Sequence, residues 1–309
     1  MMKPFRNASL GIIVAAMFFG VPTESSFAQD RGPIARVGMQ TGTPTMFVDD
    51  VPTAAMTYTT GWGKDYSRYF RDFGKAGVKF VSFIITPTVL PVWKGPGEYD
   101  FSIIDDAMKK VVANNPDALV FPRVDLFSPP WWNTLHPDEL MRFDDGATMK
   151  PMERAGNTEL PSWASEVWRN DVADCLRKMI AHIGSQPYGK RVVGYHLSSG
   201  GTNEWYYYSN YVWFFSEPLE YYLDYSKPQT AAFRKWLTKK YGSDDALRAA
   251  WNDPKVSLDT AEIASKRAKK TTDRFVFFDP AKSMRVVDTY DFEADLVVDT
   301  ISFFCRVVK

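Results

Sequence analysis

The residues with the clearest chemical potential are an adjacent amide and carboxylate, Asn203 and Glu204. They stand in the small-residue stretch 198–205, SSGGTNEW, which follows the strand-like run 191–197. The turn after a buried parallel strand opens at the end of a barrel where enzymes of that fold place their reacting groups. A carboxyl group there can protonate a leaving oxygen as a general acid. The pair therefore predicts general acid chemistry at this strand end, with a solvated loop carboxylate and a turn-capping asparagine as the simpler alternatives.

Two further polar residues belong to predicted strands. Arg123 lies at the end of the third strand, where a guanidinium can hold sugar hydroxyls or orient a carboxylate through charge-assisted hydrogen bonds. A structural ion pair with Asp125 is an equally good interpretation. His196 alternates with Gly194 and Ser198, and a face of small and polar residues is typical of a barrel interior. His196 is therefore predicted either to contact substrate or to be a satisfied interior histidine.

Aromatic side chains accumulate after the third and the fourth predicted strand. Their flat rings can bury the apolar face of a sugar, and packing between long loops is the alternative for most of them. We predict that one ring of each group contacts substrate, with Trp131, Trp132 and Trp205 as the candidates. The groups are Trp131 and Trp132 after the third strand, and Trp205, Tyr206, Tyr207, Tyr208, Tyr211 and Trp213 after the fourth.

The spacing of apolar residues predicts four strand–helix units that would position these side chains. The first strand follows a tight Asp49-Asp50 turn, and Pro122 ends the third strand because proline cannot donate to an interior ladder. Two short helical patterns lie in the excursion after the fourth strand. The predicted strands are 51–60, 78–85, 118–121 and 191–197, and the predicted helices are 66–74, 102–114, 162–184, 233–237, 247–251 and 288–309.

Local signals mark the start of two of these helices. Ser102 and Asp105 have the spacing of a capping-box-like pair. Ser162 or Ser165 can cap the helix that follows the third strand. The connection 125–161 is rich in aromatic residues, and an ordered connection of that length is usually functional.

Regular alternation of strands and helices implies parallel strands joined by right-handed crossovers. Either a (β/α) barrel or an open doubly wound sheet satisfies this order, and the open sheet would reverse its strand order at a switch point. The phosphate-binding glycine pattern of dinucleotide folds is missing after the first strand, and polar and aromatic residues follow the strand ends. The sequence therefore predicts an α/β fold of the (β/α)8 TIM-barrel type, of which only the first four β/α units are present, as an incomplete barrel.

The N-terminal residues have the layout of an export signal. Lys3 and Arg6 give a positive start, 8–21 is apolar, and small residues lead up to Ala28. The apolar run is shorter than the roughly 20 residues that span a bilayer, and an uncleaved anchor is the alternative. We expect residues 1–28 to be a signal peptide cleaved after Ala28, so that 29–309 is secreted or periplasmic and independent of the membrane.

Charge and composition exclude several classes of function. Lys plus Arg and Asp plus Glu both number 37, and 35 against 36 remain without residues 1–28, so nothing attracts nucleic acid or anionic membrane. Two cysteines, Cys175 and Cys305, fit core positions better than a disulfide, although export would permit one. Three histidines without a metal-binding motif predict no metal site and no cofactor.

Several stretches resemble clan A glycoside hydrolases, and most closely the family 42 type, known mainly for β-galactosidases. The resemblance runs through nearly all of 29–309 and implies a carbohydrate substrate and retaining hydrolysis of a β-linked sugar. It implies that Glu204 is the general acid/base and that Asn203 binds the hydroxyl beside the reacting carbon. The matching stretches are 93–105 (WKGPGEYDFSIID), 121–132 (FPRVDLFSPPWW), 136–139, 163–168 (WASEVW) and 193–205.

Two departures from the family pattern bear on function. Gly200-Gly201-Thr202 precedes the Asn-Glu pair where the family has an acidic or polar residue, and Trp205-Tyr206 follows where the family has Tyr-Gly, so a different sugar is one expectation. The clan's nucleophile is a Glu at the end of strand seven, and no residue of this chain inherits that role. The expectation is thus an exported β-galactosidase-like hydrolase present as a partial catalytic domain; the alternative is a truncated, inactive chain that at most binds carbohydrate.

Overall fold

The structure is a computed structural model that describes residues 32–59, 66–84, 92–148, 159–200, 204–205, 207, 222–271 and 277–309. The described strands are β1 Ala35–Gln40, β2 Thr43–Val48, β3 Val51–Pro52, β4 Thr57–Thr59, β5 Phe80–Ile84, β6 Trp93–Gly95, β7 Glu98–Tyr99, β8 Leu119–Asp125 and β9 His196–Ser198. The described α-helices are α1 Ser67–Lys75, α2 Ser102–Asn114, α3 Pro130–Leu135, α4 Glu166–Ser185, α5 Lys227–Tyr241, α6 Asp244–Trp251, α7 Lys266–Lys270 and α8 Pro280–Val308.

A four-stranded parallel sheet organises the fold. Its strands lie in the order β4, β5, β8 and β9, so strands that follow one another along the chain are neighbours in space. Helices α1, α2 and α4 lie in the three connections between these strands. The described sheet contains no reversal of strand order, which an open doubly wound sheet would require. The prediction of an α/β fold with a parallel sheet is therefore confirmed.

The chain before this sheet differs from the prediction. The strand predicted at 51–60 is divided into two: the short β3 pairs back onto β2, and β4 begins the parallel sheet as predicted for the first strand. β1, which is not predicted from the sequence, pairs antiparallel with β2. Asp49 and Asp50 have φ angles of +47° and +63°, and Thr41 and Gly42 have +47° and +81°. Consecutive positive φ angles are what tight hairpin turns require, so two such turns build this three-stranded meander.

The third strand of the parallel sheet continues beyond the predicted end. β8 includes Pro122, so the prediction that proline ends this strand is wrong. The carbonyl of Val120 accepts a hydrogen bond from the amide of Val193, and the amide of Leu126 donates to the carbonyl of Ser198. Pro122 lies two residues after Val120, so its backbone faces the same side of the strand. The pairing is interrupted there, because Val120 bridges Val192 and Arg123 pairs with His196, and residues 193–195 belong to no strand. The missing N–H of Pro122 therefore falls at an irregularity of the ladder, the kind of position at which a sheet tolerates proline.

The two faces of the parallel sheet have different environments. Val81, Phe83, Val120 and Val124 belong to the main hydrophobic core, together with buried residues of α1, α2 and α4. Alternate residues of a strand point to the opposite face, so Phe80, Ser82, Phe121, Arg123 and Asp125 share the other side. The core also receives the end of α8, where the Phe304 ring lies 5.2 Å from that of Trp168. A second, smaller core lies among α5, α6 and α8.

Of the two predicted helix caps, one forms and the other does not. Ser165 caps α4, because its Oγ accepts a hydrogen bond of 3.0 Å from the amide of Trp168. Ser102, by contrast, is the first residue of α2 and its side chain makes no cap. Its amide instead donates to the carboxylate of Asp100 at 3.0 Å. The predicted pairing of Ser102 with Asp105 therefore does not form.

Asp105 instead joins α2 to the segment that precedes the fourth strand. Its Oδ1 accepts a hydrogen bond from the Tyr188 hydroxyl and lies 2.7 Å from Nε2 of His182 on α4. Burial raises the pKa of Asp105, but the hydrogen bonds from Tyr188 and His182 outweigh it and hold the pKa below its ordinary value. The ionised carboxylate is therefore favoured by folding.

Replacing Asp105 by asparagine is expected to lower the free energy of unfolding at pH 7 by about 1.5–3 kcal/mol, the contribution typical of hydrogen bonds to a charged group. Because the folded-state pKa is lowered, the stabilisation is complete above the unfolded pKa of about 3.9 and is lost as the pH falls through the folded value. Urea unfolding at pH 7 and at successively lower pH values measures this difference.

The matched control is Asp106→Asn, because Asp106 lies on the same helix with an exposed side chain. It should change stability little at any pH. An equal loss for both variants, or a difference between Asp105→Asn and wild type that does not shrink in acid, would contradict the assignment.

Both cysteines are free thiols. Cys175 is buried in α4, where burial raises its pKa to about 12, whereas Cys305 on α8 is exposed. The predicted core position thus holds for Cys175 and is wrong for Cys305. Over the ranges that the structure describes, none of the helices combines the length and the apolar character that crossing a membrane requires.

Candidate active site

Four of the residues discussed above meet at the carboxyl ends of β8 and β9. Arg123 is in register with His196, and Asp125 is in register with Ser198. The Nε of Arg123 donates to Asp125 Oδ1 at 3.2 Å and to Ser198 Oγ at 3.3 Å. Ser198 Oγ in turn donates to Asp125 Oδ1. The guanidinium is thus oriented by a carboxylate and a hydroxyl that the parallel register brings together.

Burial determines the electrostatics of this group. The side chain of Asp125 is 1% exposed and that of Arg123 is 19% exposed. Burial raises the pKa of Asp125, against the opposing effect of the Ser198 hydrogen bond and the Arg123 charge. Desolvation, with the positive charge of Arg123, lowers the pKa of His196. His196 is therefore a neutral imidazole at neutral pH, and its side chain is exposed on the same face as Arg123.

The turn after β9 carries Glu204 at its far end. Gly200 has a φ of +93°, and a Cβ there would lie 2.2 Å from the backbone oxygen of Glu204. Only glycine accommodates that approach together with that φ. The Glu204 side chain is exposed, and the indole Nε1 of Trp205 donates to the carbonyl of Leu197 in β9 at 3.1 Å. The backbone of Glu204 therefore lies close to Gly200, and the residue after it is hydrogen-bonded to the strand end. Asn203 lies outside the described residues, as do Tyr206, Tyr208, Tyr211 and Trp213.

Trp163 packs against this turn. It is 1% exposed, and its indole Nε1 donates to Ser199 Oγ at 3.1 Å. Its ring centroid lies 5.4 Å from Trp205 and 4.7 Å from Tyr207. The sequence offers no local signal for this role, because Trp163 precedes α4 and reaches the turn only through the tertiary fold.

The two tryptophans after β8 have different positions. Trp131 is half-buried, and its indole Nε1 donates to the carbonyl of Trp93 at 3.2 Å. Trp132 has no exposed surface, and its indole Nε1 donates to Asp171 on α4 at 2.8 Å. Trp132 therefore packs in the core and presents no surface to a ligand, whereas Trp131 stays partly accessible.

Replacing Gly200 by alanine is expected to lower the free energy of unfolding by about 1–3 kcal/mol, because a left-handed φ costs a non-glycine residue roughly 1–2 kcal/mol and the Cβ clash is added to it. The displaced Glu204 backbone should also lower any activity that depends on this turn. Chemical denaturation and an activity assay measure the two effects.

Gly146→Ala separates strain from clash. Gly146 has a φ of +85°, yet a Cβ there meets no atom within 4 Å. It should lose stability through strain alone and leave activity unchanged. Equal effects of the two substitutions on activity would show that the contact between Gly200 and Glu204 does not position the turn.

A cavity beside Trp205 contains ionisable residues that the sequence did not single out. It has a volume of 490 Å³, and Lys269 and Glu293 line it. These residues come from α7 and α8, far along the chain from Glu204. Among the residues that the structure describes, His, Cys, Asp and Glu side chains form no group of three or more that could hold a metal ion.

A family model and a curated relative both indicate the same family for this chain. The model of glycoside hydrolase family 42, described as beta-galactosidase, matches residues 60–256. Beta-galactosidase BbgII of Bifidobacterium bifidum is 31% identical over 178 residues, which make up 57% of this chain and 22% of that protein.

Superposition on solved structures shows which fold this chain shares. A beta-galactosidase from Bacillus circulans sp. alkalophilus superposes with a TM-score of 0.56 and 16% identity, over 81% of this chain and 34% of its own. The catalytic domain of a beta-amylase from Paenibacillus polymyxa superposes with a TM-score of 0.61 and 15% identity, over 81% of this chain and 61% of its own. The shared fold is that of TIM-barrel glycoside hydrolases, and this chain spans 22% of the length of the curated relatives it matches.

Proposed function

Because this chain belongs to glycoside hydrolase family 42, the beta-galactosidase family, we propose that it forms part of an exported enzyme that hydrolyses β-linked sugars with retention of configuration. The observation that supports the proposal is the position of Glu204 at the end of a parallel strand, where its backbone lies close to Gly200 and the next residue, Trp205, hydrogen-bonds to Leu197 of β9. Barrel enzymes take their reacting groups from such strand ends.

In this proposal Glu204 acts twice. As a general acid it protonates the glycosidic oxygen of the leaving sugar, and as a general base it later activates the water that releases the product. Retaining enzymes need a second carboxylate about 5–5.5 Å away as the nucleophile. We assign the nucleophile to no residue of this chain. The mechanism requires no cofactor.

Substrate binding is proposed for residues around the turn. Arg123, oriented by Asp125 and Ser198, supplies guanidinium donors for sugar hydroxyls, as arginine does elsewhere. Asn203 would bind the hydroxyl beside the reacting carbon, and the neutral imidazole of His196 would provide a further hydrogen bond. The rings of Trp131 and Trp205 would cover the apolar face of the sugar.

Two further parts of the proposal concern the complete barrel and the N-terminal signal. We propose that β4, β5, β8 and β9 are the first four strands of a (β/α)8 barrel, and that residues 1–28 are a signal peptide whose removal after Ala28 leaves a secreted or periplasmic protein. Support comes from the consecutive parallel order of the strands and from the positive and apolar pattern of the N-terminus.

Hydrolysis of aryl β-glycosides by the product of the complete gene tests the function. We expect release of the aryl group from at least one β-glycoside, with the galactoside among the best, and from no α-glycoside. The first sugar product observed by NMR should be the β-anomer. An α-anomer as first product would overturn the retaining mechanism. Binding of galactose without any hydrolysis would overturn the hypothesis that the protein is an enzyme and would favour a chain that only binds carbohydrate.

A further inference from the structure

The guanidinium of Arg169 connects α8 to the segment that packs against the Glu204 turn. Arg169 lies in the first turn of α4, and its side chain is 13% exposed. Its Nε donates to the carbonyl of Trp163 at 2.9 Å. Its Nη1 donates to the Asp299 carboxylate at 2.6 Å, and its Nη2 donates to the hydroxyl of Thr300. One planar group thus bonds α8 and the backbone before α4 at the same time.

The Trp163 side chain contacts the turn on both sides of Glu204. Its indole Nε1 donates to Ser199 Oγ at 3.1 Å, and its Cζ2 lies 3.5 Å from the place that a Cβ on Gly200 would take. Its ring centroid lies 5.4 Å from that of Trp205. Because these contacts come before and after Glu204 in the chain, a shift of Trp163 would also shift the backbone of Glu204.

The Thr300 hydroxyl is a fixed acceptor for Arg169. Thr300 has no exposed surface, and its Oγ1 donates to the carbonyl of Leu296 one turn earlier in α8 at 2.7 Å. With its proton used in that bond, the hydroxyl receives the Nη2–H of Arg169 through a lone pair. The guanidinium is a rigid fork. Fixing its Nη groups on α8 therefore also fixes the direction in which its Nε–H meets the Trp163 carbonyl.

Apolar packing between α4 and α8 does not supply this direction. The Phe304 ring packs against that of Trp168 at 5.2 Å, and such contacts are not directional. The hydrogen bonds of Arg169 are directional and charge-assisted. The family model matches residues 60–256, whereas Asp299 and Thr300 lie beyond that range. The family match alone therefore does not indicate this contact.

We propose that Arg169 and Thr300 are positioning residues for Glu204, acting through Trp163. The proposal rests on the proposed function, because it concerns the carboxyl group to which we assign the proton transfer. Misplacement of a reacting group by about 1 Å can cost on the order of 100-fold in rate. Loss of the Thr300 acceptor should therefore impair the protonation step while leaving the fold in place.

Thr300→Val in the full gene product tests the proposal, since valine keeps the shape of threonine and removes the acceptor. We expect kcat/KM for alkyl β-galactosides to fall about 10- to 100-fold. The loss should be smaller for dinitrophenyl β-galactosides, whose leaving group departs without protonation. A variant that only lost folded enzyme would lose the same fraction with both substrates. Steady-state kinetics with the two substrates measures the ratio.

The matched control is Thr289→Val, on the same helix. Thr289 is equally buried, its Oγ1 donates to the carbonyl of Arg285 one turn earlier at 2.9 Å, and it accepts from the amide of Ala264 at 3.1 Å. Both valine variants should lose stability, but Thr289→Val should keep the wild-type ratio of the two kcat/KM values. Thr300→Ser retains the hydroxyl and should restore that ratio.

Amide hydrogen exchange of the turn 198–205 gives a readout that needs no turnover. We expect faster exchange in Thr300→Val and wild-type exchange in Thr289→Val and Thr300→Ser. Selectively faster exchange supports the positioning contact even if no glycoside is hydrolysed, in which case only the proposed function fails. Unchanged exchange in Thr300→Val, equal acceleration in Thr289→Val, or equal kinetic losses for the two leaving groups overturns the proposal. If Thr300→Val does not fold, Arg169→Lys replaces it under the same criteria, because lysine keeps the charge but not the fork.

Discussion

Replacing Glu204 by glutamine is expected to lower kcat/KM for β-glycosides about 100- to 10,000-fold, the usual contribution of a general acid or base. Glutamine has the shape of glutamic acid but cannot transfer its proton to the leaving oxygen. The loss should be largest for alkyl glycosides, whose leaving oxygen requires protonation, and smaller for dinitrophenyl glycosides, whose leaving group departs without it. Steady-state kinetics with both kinds of substrate measures the contrast.

Stability should not change in this variant, because the Glu204 side chain is exposed. Glu166→Gln is the matched control, since Glu166 is an exposed glutamate of α4 whose partner Lys235 lies 3.7 Å away. It should retain full activity. Undiminished turnover after Glu204→Gln, or the same fractional loss for both leaving groups, would exclude an acid/base role for Glu204.

Replacing Asp125 by alanine is expected to lower the free energy of unfolding by about 3 kcal/mol, near the lower end of the range for breaking a buried ion pair because part of Arg123 reaches solvent. The raised pKa of Asp125 shows that its ionised form is itself unfavourable in the fold. The expected loss therefore comes from the partners, because the Arg123 guanidinium and the Ser198 hydroxyl would lose their acceptor. Urea unfolding at pH 7 measures the change.

Removing both charges together shows whether the partners cause the loss. Arg123→Met combined with Asp125→Leu removes both charges, and its stability should approach or exceed that of the wild type. Asp138→Ala is the control, since it breaks an exposed pair with Lys227 and should cost about 1 kcal/mol or less. Similar losses for Asp125→Ala and Asp138→Ala would mean that the buried cluster adds nothing to stability.

The features that the sequence predicted depend on neighbours along the chain. The period of apolar residues in α4 and in the last helix follows from helical geometry, and the Ser165 cap involves an amide only three residues away. The order of strands and helices restricts the sheet to parallel pairing. From these local facts came the parallel sheet and the position of Glu204 just after its fourth strand.

The features that the sequence did not predict depend on distant partners. Asp105 has the spacing of a helix cap but bonds to residues 77 and 83 positions away. Trp132 follows a strand end as a substrate-binding ring would, yet the α4 carboxylate that its indole bonds holds it in the core. Pro122 lies inside β8 beside an interruption of the pairing at residues 193–195, which belong to no strand.

By itself, therefore, the sequence determined the class of fold, the order of the four strands of the parallel sheet and the residue on which the proposed chemistry rests. Only the tertiary structure decided which side chains meet around the end of the fourth strand and Trp205: the Asp125 carboxylate with Arg123, Trp163 against the turn, and the ion pair of Lys269 and Glu293 in the cavity beside Trp205. The reason is physical. Backbone geometry repeats over a few residues and so leaves a periodic pattern, whereas burial and pairing join residues whose separation along the chain has no period.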